Sequence, residues 1–430
     1  MNACCVLPKE RYANNCRNAT HTAGLLKITA VRACFQGYAV ANGLLHLIEA
    51  TVMRYPRLLQ LAVLAIILTL SPTARAQSAG DQFWHTEFGA NFSMDGQIYA
   101  VEVTPTSIYI GGSFLHVAGI SAKHVARFDR VSATWSALDS GTDGEVHALK
   151  AFNVAGEELL YAGGHFTKAG EDSAVGIAIF DGSHWNPMGS GIQPTEFGVY
   201  SIVLDKNGNP YAAGGFNTVT AAGDTLLNIA HWNGSAWKPL AGGVTNWRGA
   251  LPVFSMVVSG DTLYVGGYFD YVGSHISAKG VARWLNDAWS SVGPVGDAPV
   301  HVDALTEFHG VLYAAGDFTR IGNDSAYLLA RYYDNAWHAL PDSTPFMIGS
   351  FAVSGDRLYA GHIDLGPPGT YAKGVASFDG KHWSALGDGM RSGVAALAPY
   401  GTTGVLAAGY FDSVATNRRR GWPGGKLRQA

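Results

Sequence analysis

The sequence predicts an all-β chain assembled from repeated four-stranded antiparallel sheets, and three observations carry that reading. A phrase of the form Tyr-x-Gly/Ala-Gly-x-Phe starts at Tyr109, Tyr161, Tyr211, Tyr264 and Tyr313, returns altered at Tyr359, and returns with leucine at Leu406. A tryptophan follows each tyrosine by 24 to 26 residues, at Trp135, Trp185, Trp237, Trp289, Trp337 and Trp383. Glycine makes up 54 of 430 residues while charged residues are only 14%, against a usual ~7% and ~25%, which is the balance of a turn-rich, sheet-rich chain.

Each repeat offers four strands in order. The first is a short alternating segment such as "VHAL" (146–149), "VYSI" (199–202), "VFSM" (253–256) or "VDAL" (302–305). The glycine phrase is the second, and a polar loop leads from it to a third, written "VARF", "IAIF", "IAHW", "VARW", "LARY" or "VASF". A tight turn then brings the tryptophan strand. Asp181-Gly182, Asn233-Gly234 and Asp379-Gly380 stand at that turn and predict two-residue type I′ hairpins, while "SGDT" (259–262) and "SGDR" (354–357) predict hairpins between strands one and two. The glycine pair predicts either positive φ or close passage beneath a neighbour, where a Cβ would clash.

One such sheet cannot bury both faces alone. Stacking copies around an axis does so, and the chain is therefore expected to be a seven-bladed β-propeller of four-stranded antiparallel blades. Closure is expected through pairing of the N- and C-terminal segments. The last copy, "GVLAAGYFDSVATN" (404–417), puts Trp422 in the third-strand place and lacks a fourth-strand tryptophan, while residues 81–101 align with 380–399 and offer Trp84 for it. Arg419-Arg420 fall where the other third strands carry apolar pairs.

Residues 1–52 read as an upstream extension, because Met53 begins a secretory signal: Arg54 and Arg57, the apolar run from Leu58 to Leu70, and a small-x-small site, Ala74-Arg75-Ala76. Cleavage near Ala76 leaves a propeller at 77–425 and a basic tail at 426–430, secreted to the periplasm or beyond the cell, with no membrane span after signal removal. All four cysteines, Cys4, Cys5, Cys16 and Cys34, precede the signal, so the exported part is expected to hold together without disulfides. A net charge of -4 with no basic stripe speaks against a nucleic-acid partner, and a monomer is expected.

A strand ending in two glycines, followed by an aromatic, a turn and a tryptophan, resembles the kelch-type repeat of the galactose-oxidase-like propellers, notably secreted bacterial ones. The resemblance implies a propeller fold over residues 81–425 and leaves activity open, since propellers serve as binding platforms, enzymes and scaffolds alike. Oxidase chemistry of that family needs a cysteine joined to a tyrosine beside copper, and no cysteine follows position 34. Histidines are not spaced as metal pairs, and there is no nucleophile elbow or phosphate loop, so neither cofactor nor metal is expected.

Position gives the better clue. Inter-blade loops and the loops between strands two and three share one rim, and the longest, "AGGVTNWRGALP" (241–252), carries Trp247 and Arg248. At the second position of the innermost strand the copies vary: Tyr99, His147, Tyr200, Phe254, Asp303, Gly349, Ala395. With Glu145 and His301 beside them, these residues either plug the axis or line a funnel for a glycan, peptide or protein. In the second case Trp247, Tyr200 and Phe254 would stack, and Asp303, Glu145 and Arg248 would orient. The expected role is non-catalytic binding. A carbohydrate-active lyase or hydrolase and a purely structural surface protein are the alternatives.

Overall fold

The chain divides into two units, Met1–Ala76 and Gln77–Ala430. The computed structural model describes residues 93–246, 253–295, 300–321, 324–326, 328–340, 347–362, 374–386, 393–409 and 426–429. The segments 1–52 and 53–76, together with Trp84, Trp247, Arg248, Arg419, Arg420 and Trp422, lie outside the described residues.

The described residues are all-β and contain no helix. The first sheet runs in order through Ile98–Val103, Ser107–Gly112, Val125–Asp129 and Thr134–Ala137, each antiparallel to the next. Five more four-stranded sheets repeat that order, led by inner strands Glu145–Val154, Pro194–Leu204, Val253–Ser259, His301–Phe308 and Ile348–Ser354. A seventh holds Val394–Tyr400, Gly404–Gly409 and Lys426–Gln429. In it Gln429 pairs with Leu406 as Arg127 pairs with Tyr109 in the first. The third-strand place is therefore taken by the residues read as a basic tail, several positions beyond the expected Trp422.

The repeat spacing sets where the apolar residues go. Each core lies between two successive sheets. Val146, Leu149 and Trp185 of the second sheet meet Tyr109 and Leu138 of the first, and Val394 and Leu397 of the seventh meet Tyr359 and Val375 of the sixth. One further core joins Ile98, Ile108 and Phe128 of the first sheet to Tyr400, Leu406 and Ala408 of the seventh.

Two polar contacts recur across these interfaces. The fourth-strand tryptophan donates its indole N–H to a carbonyl just past the previous sheet: Trp185 to Leu138 at 2.9 Å, Trp237 to Met188 at 3.1 Å, Trp289 to Leu240 at 2.8 Å. The second-strand tyrosine reaches the opposite way, to the first hairpin of the next sheet: Tyr109 to Glu158 at 2.6 Å, Tyr161 to the Gly208 carbonyl at 3.3 Å, Tyr359 to the Thr403 carbonyl at 2.6 Å. Burial and the nearby Glu158 carboxylate push the Tyr109 hydroxyl up to about 12, so it stays a donor. An amphipathic ring suits this work, because its body fills the interface and its tip finds a partner.

The turns depart from expectation in an instructive way. At Asp181-Gly182 the loop has four residues, since Phe180 pairs with Trp185, and only the glycine takes positive φ. The Asp181 carboxylate accepts from the backbone N–H of Ser183 and His184, and Asn233 and Asp379 repeat the arrangement. Between strands three and four, two-residue turns with both φ positive do occur, at Asn286-Asp287 and Asp334-Asn335. Both "SGD" hairpins form as expected, with Ser259 opposite Thr262 and Ser354 opposite Arg357. The polar loop between strands two and three is itself a small hairpin in four sheets, as where His116–Val117 pairs with Ile120–Ser121.

Of the two explanations for the glycine pair, close approach is the one realised, because no residue of any pair has positive φ. At the first position a Cβ would meet a valine methyl group of the next sheet, Val146 above Gly111 and Val199 above Gly163. A methyl group can give a little, and Ala213, Ala315 and Ala408 occupy the same place elsewhere. At the second position a Cβ would run into a backbone carbonyl of the sheet's own inner strand: Gln97 at Gly112, Glu145 at Gly164, Gly198 at Gly214, His301 at Gly316. Backbone cannot give without breaking the ladder. Gly164→Ala is therefore expected to destabilise by about 1–3 kcal/mol or more, and Gly163→Ala by clearly less. Urea midpoints of the two variants check this, and equal shifts would contradict it.

Candidate functional site

Every inner strand carries one residue more than its partner. In the first sheet Ile98 pairs with Gly112 and Ala100 with Gly111, so Tyr99 is the extra residue of a β-bulge. The same shift isolates His147, Tyr200, Phe254, Asp303, Gly349 and Ala395 in the other six. These are the seven variable positions. A bulge frees its residue from the pairing rhythm and re-aims its side chain.

The freed side chains meet. Tyr99 stacks on His147 with centroids 5.0 Å apart and planes 11° apart, and His147 stands edge-on to Tyr200 at 5.0 Å and 86°. Tyr200 tilts against Phe254 at 5.7 Å and 51°, and Phe254 meets His301 at 4.7 Å and 66°. Five rings from five consecutive inner strands thus form an unbroken arc. Asp303 continues it, and the two remaining bulge positions, Gly349 and Ala395, carry no ring.

A polar tier lies two residues earlier on the same strands. Gln97 accepts from the Tyr99 hydroxyl at 3.0 Å, Glu145 lies 3.4 Å from His147 Nε2, and His301 Nδ1 lies 3.0 Å from Asp303. Glu145 and His301 were legible as candidates; Gln97 holds the same repeat position and its register would have found it. The residue between the second glycine and the phenylalanine forms a third tier that sequence reasoning missed. There Ser113 accepts from the Gln97 N–H at 3.1 Å, Tyr268 lies 5.7 Å from the His301 ring, and the charges of His165 and Asp317 act on His147 and His301. The signal was present, since this position too varies inside a repeated phrase.

The loops around this mouth are pinned from below. Asp95 accepts from the backbone N–H of Leu115 and His116, both at 2.8 Å. Asp143 does the same for Thr167 and Lys168 at 2.7 and 2.8 Å.

The two imidazoles differ in their electrostatics. Burial pushes His147 below the ordinary imidazole range, with Glu145 offsetting only part of it. His301 is also penalised by burial, but the Asp303 hydrogen bond and the charges of Asp303 and Asp317 outweigh that and hold it above the ordinary range. Tyr200 is raised by burial and by Glu145. Oδ2 of Asp303 is shut from solvent and has no hydrogen-bond partner among the described residues. Among the described residues no group of three or more His, Cys, Asp or Glu is placed to hold a metal. Of the nine candidates the structure brings Tyr99, Glu145, His147, Tyr200, Phe254, His301 and Asp303 to one arc, and Trp247 and Arg248 lie outside the described residues.

A family model described as a β-propeller domain of unknown function, DUF5122, matches residues 107–131, the second and third strands of the first sheet. No curated protein sequence matches the chain. Among solved structures, a Bacteroides thetaiotaomicron extracellular domain, described as that of a hybrid two-component system, is similar at 13% identity and TM-score 0.49, over 79% of this chain and 38% of that one. The β-propeller domain of Cps50 (Swd1) from Myceliophteria thermophila is similar at 10% identity and TM-score 0.46, over 75% of this chain and 96% of that one.

Two-dimensional NMR of the histidine ring protons is expected to give His301 a midpoint above, and His147 a midpoint below, the usual ~6.5. Asp303→Asn should bring His301 down and leave His147 in place. The reverse order of the two midpoints would show that the electrostatic assignment is wrong.

Proposed function

We propose that residues from about Gln77 onward form an exported seven-bladed propeller of kelch-like character, closed by the segment around Trp84 completing the seventh sheet. We further propose that it acts as a non-catalytic binding module with its ligand, a glycan, peptide or protein, seated on the axial arc. One observation carries the binding reading. Where the repeat constrains each side chain it repeats it, and the seven residues released by the bulges are the ones that differ and converge. A purely structural ring needs filler at its axis, for which one apolar side chain repeated seven times suffices. Five rings graded from Tyr to His, backed by Gln97, Glu145 and Asp317, exceed that need.

A second reading, a lyase or hydrolase on carbohydrate, is favoured by the two carboxylate–imidazole pairs, Glu145 with His147 and Asp303 with His301. Both place a titratable ring against a charged partner, as general acid–base work requires. Turnover separates the readings. The binding module leaves polysaccharide chain length unchanged and loses its ligand in Tyr200→Ala and His147→Ala, at about tenfold or more each. Progressive depolymerisation that stops in His147→Ala would replace binding by catalysis. Ligand capture that both variants leave untouched would remove the arc from either role. Export is checked separately by sequencing the N-terminus of secreted protein, expected near Gln77.

A further inference from the structure

Resting on the reading of the axial arc as a binding site, we infer that the group it takes is a cation: the ammonium or guanidinium end of a lysine or arginine side chain in a basic peptide.

Ring geometry argues first. A neutral sugar stacks on a flat platform, but only the Tyr99–His147 pair is near parallel, and the later pairs are turned by 86°, 51° and 66°. Rings tilted in succession turn their faces in several directions, and it is the aromatic face that attracts a cation. Among the described residues the cation–π contacts are Arg130 over Tyr400 and Arg331 over Tyr333, so neither Arg130 nor Arg331 covers a ring of the arc.

The charges agree. Those acting on the titratable rings are the carboxylates Glu145, Asp303 and Asp317, besides the imidazole of His165. A proton on His301 is matched by Asp303 at 3.0 Å, which among the described residues leaves Glu145 and Asp317 in excess. Gly349 and Ala395 put no ring at the two remaining bulge positions.

Isothermal titration of the full chain tests this with five probes: tetralysine, tetra-arginine, their acetyl-lysine and citrulline counterparts, and a neutral β-glucan tetrasaccharide. The basic peptides are expected to bind, and neutralising their side chains should weaken binding at least tenfold. Glu145→Gln and Asp303→Asn should weaken it several-fold, and Ala395→Phe, which puts a ring at a bulge position that has none, should weaken it without altering any charge. Glu157→Gln and Asp261→Asn, on outer loops between strands one and two, should change nothing. Failure of the basic peptides to bind, binding equal to that of the neutral counterparts, or equal loss in the outer-loop variants overturns the inference. If the tetrasaccharide binds instead and Tyr200→Ala abolishes it, the cation is wrong and the arc remains the site. If a probe binds and Tyr200→Ala has no effect on it, the arc itself is wrong.

Discussion

A missing side chain governs this architecture. In five sheets a backbone carbonyl at the start of the inner strand comes to rest against the second glycine of the phrase, so closely that a Cβ would collide with the oxygen. The oxygen concerned belongs each time to the residue two positions before the bulge: Gln97 before Tyr99, Glu145 before His147, Gly198 before Tyr200, His301 before Asp303, Gly393 before Ala395. Glycine and bulge are therefore one device. The glycine admits the inner strand's close approach, and the bulge spends the extra length by turning one residue out of the pairing rhythm.

The division of labour along the sequence follows from it. Tyrosines and tryptophans that span the interfaces see the same surroundings in sheet after sheet, so their identity repeats with the fold. The turned-out residue faces its counterparts and not a packed neighbour, so the common packing exerts no choice over it. The sixth sheet is the instructive exception: its second glycine is replaced by buried His362, whose proton affinity burial lowers to about 4, and its bulge residue is Gly349. Bulk at one member of the device goes with lack of bulk at the other.

This is also why the fold was legible and the site only half so. Period-two segments and a fifty-residue repeat depend on local geometry, which recurs and can be counted. The variable inner positions were found because they break a repeat, and five of them, Tyr99, His147, Tyr200, Phe254 and Asp303, fell into the arc in the order the register gives. The turns were misassigned at Asp181, Asn233 and Asp379 because an Asx side chain accepting two backbone N–H groups closes a four-residue loop with the same dipeptide that serves a two-residue one. Tyr268 and Asp317 escaped because they reach His301 across space from the second strand. Lys426–Gln429 escaped because charge hid a strand that is defined by backbone pairing.

The arc's two imidazoles show how a symmetric scaffold acquires an asymmetric site. His147 and His301 occupy different places in the same register, one at the bulge and one two residues before it. His147 lies between Tyr99 and Tyr200, where burial dominates and favours the neutral form. His301 is the more exposed of the two, and Asp303 and Asp317 reach it and favour the charged form. A difference of two register positions between corresponding strands goes with a reversed balance of desolvation and charge pairing. Chemical variety at this axis thus needs no change in the sheets that hold it.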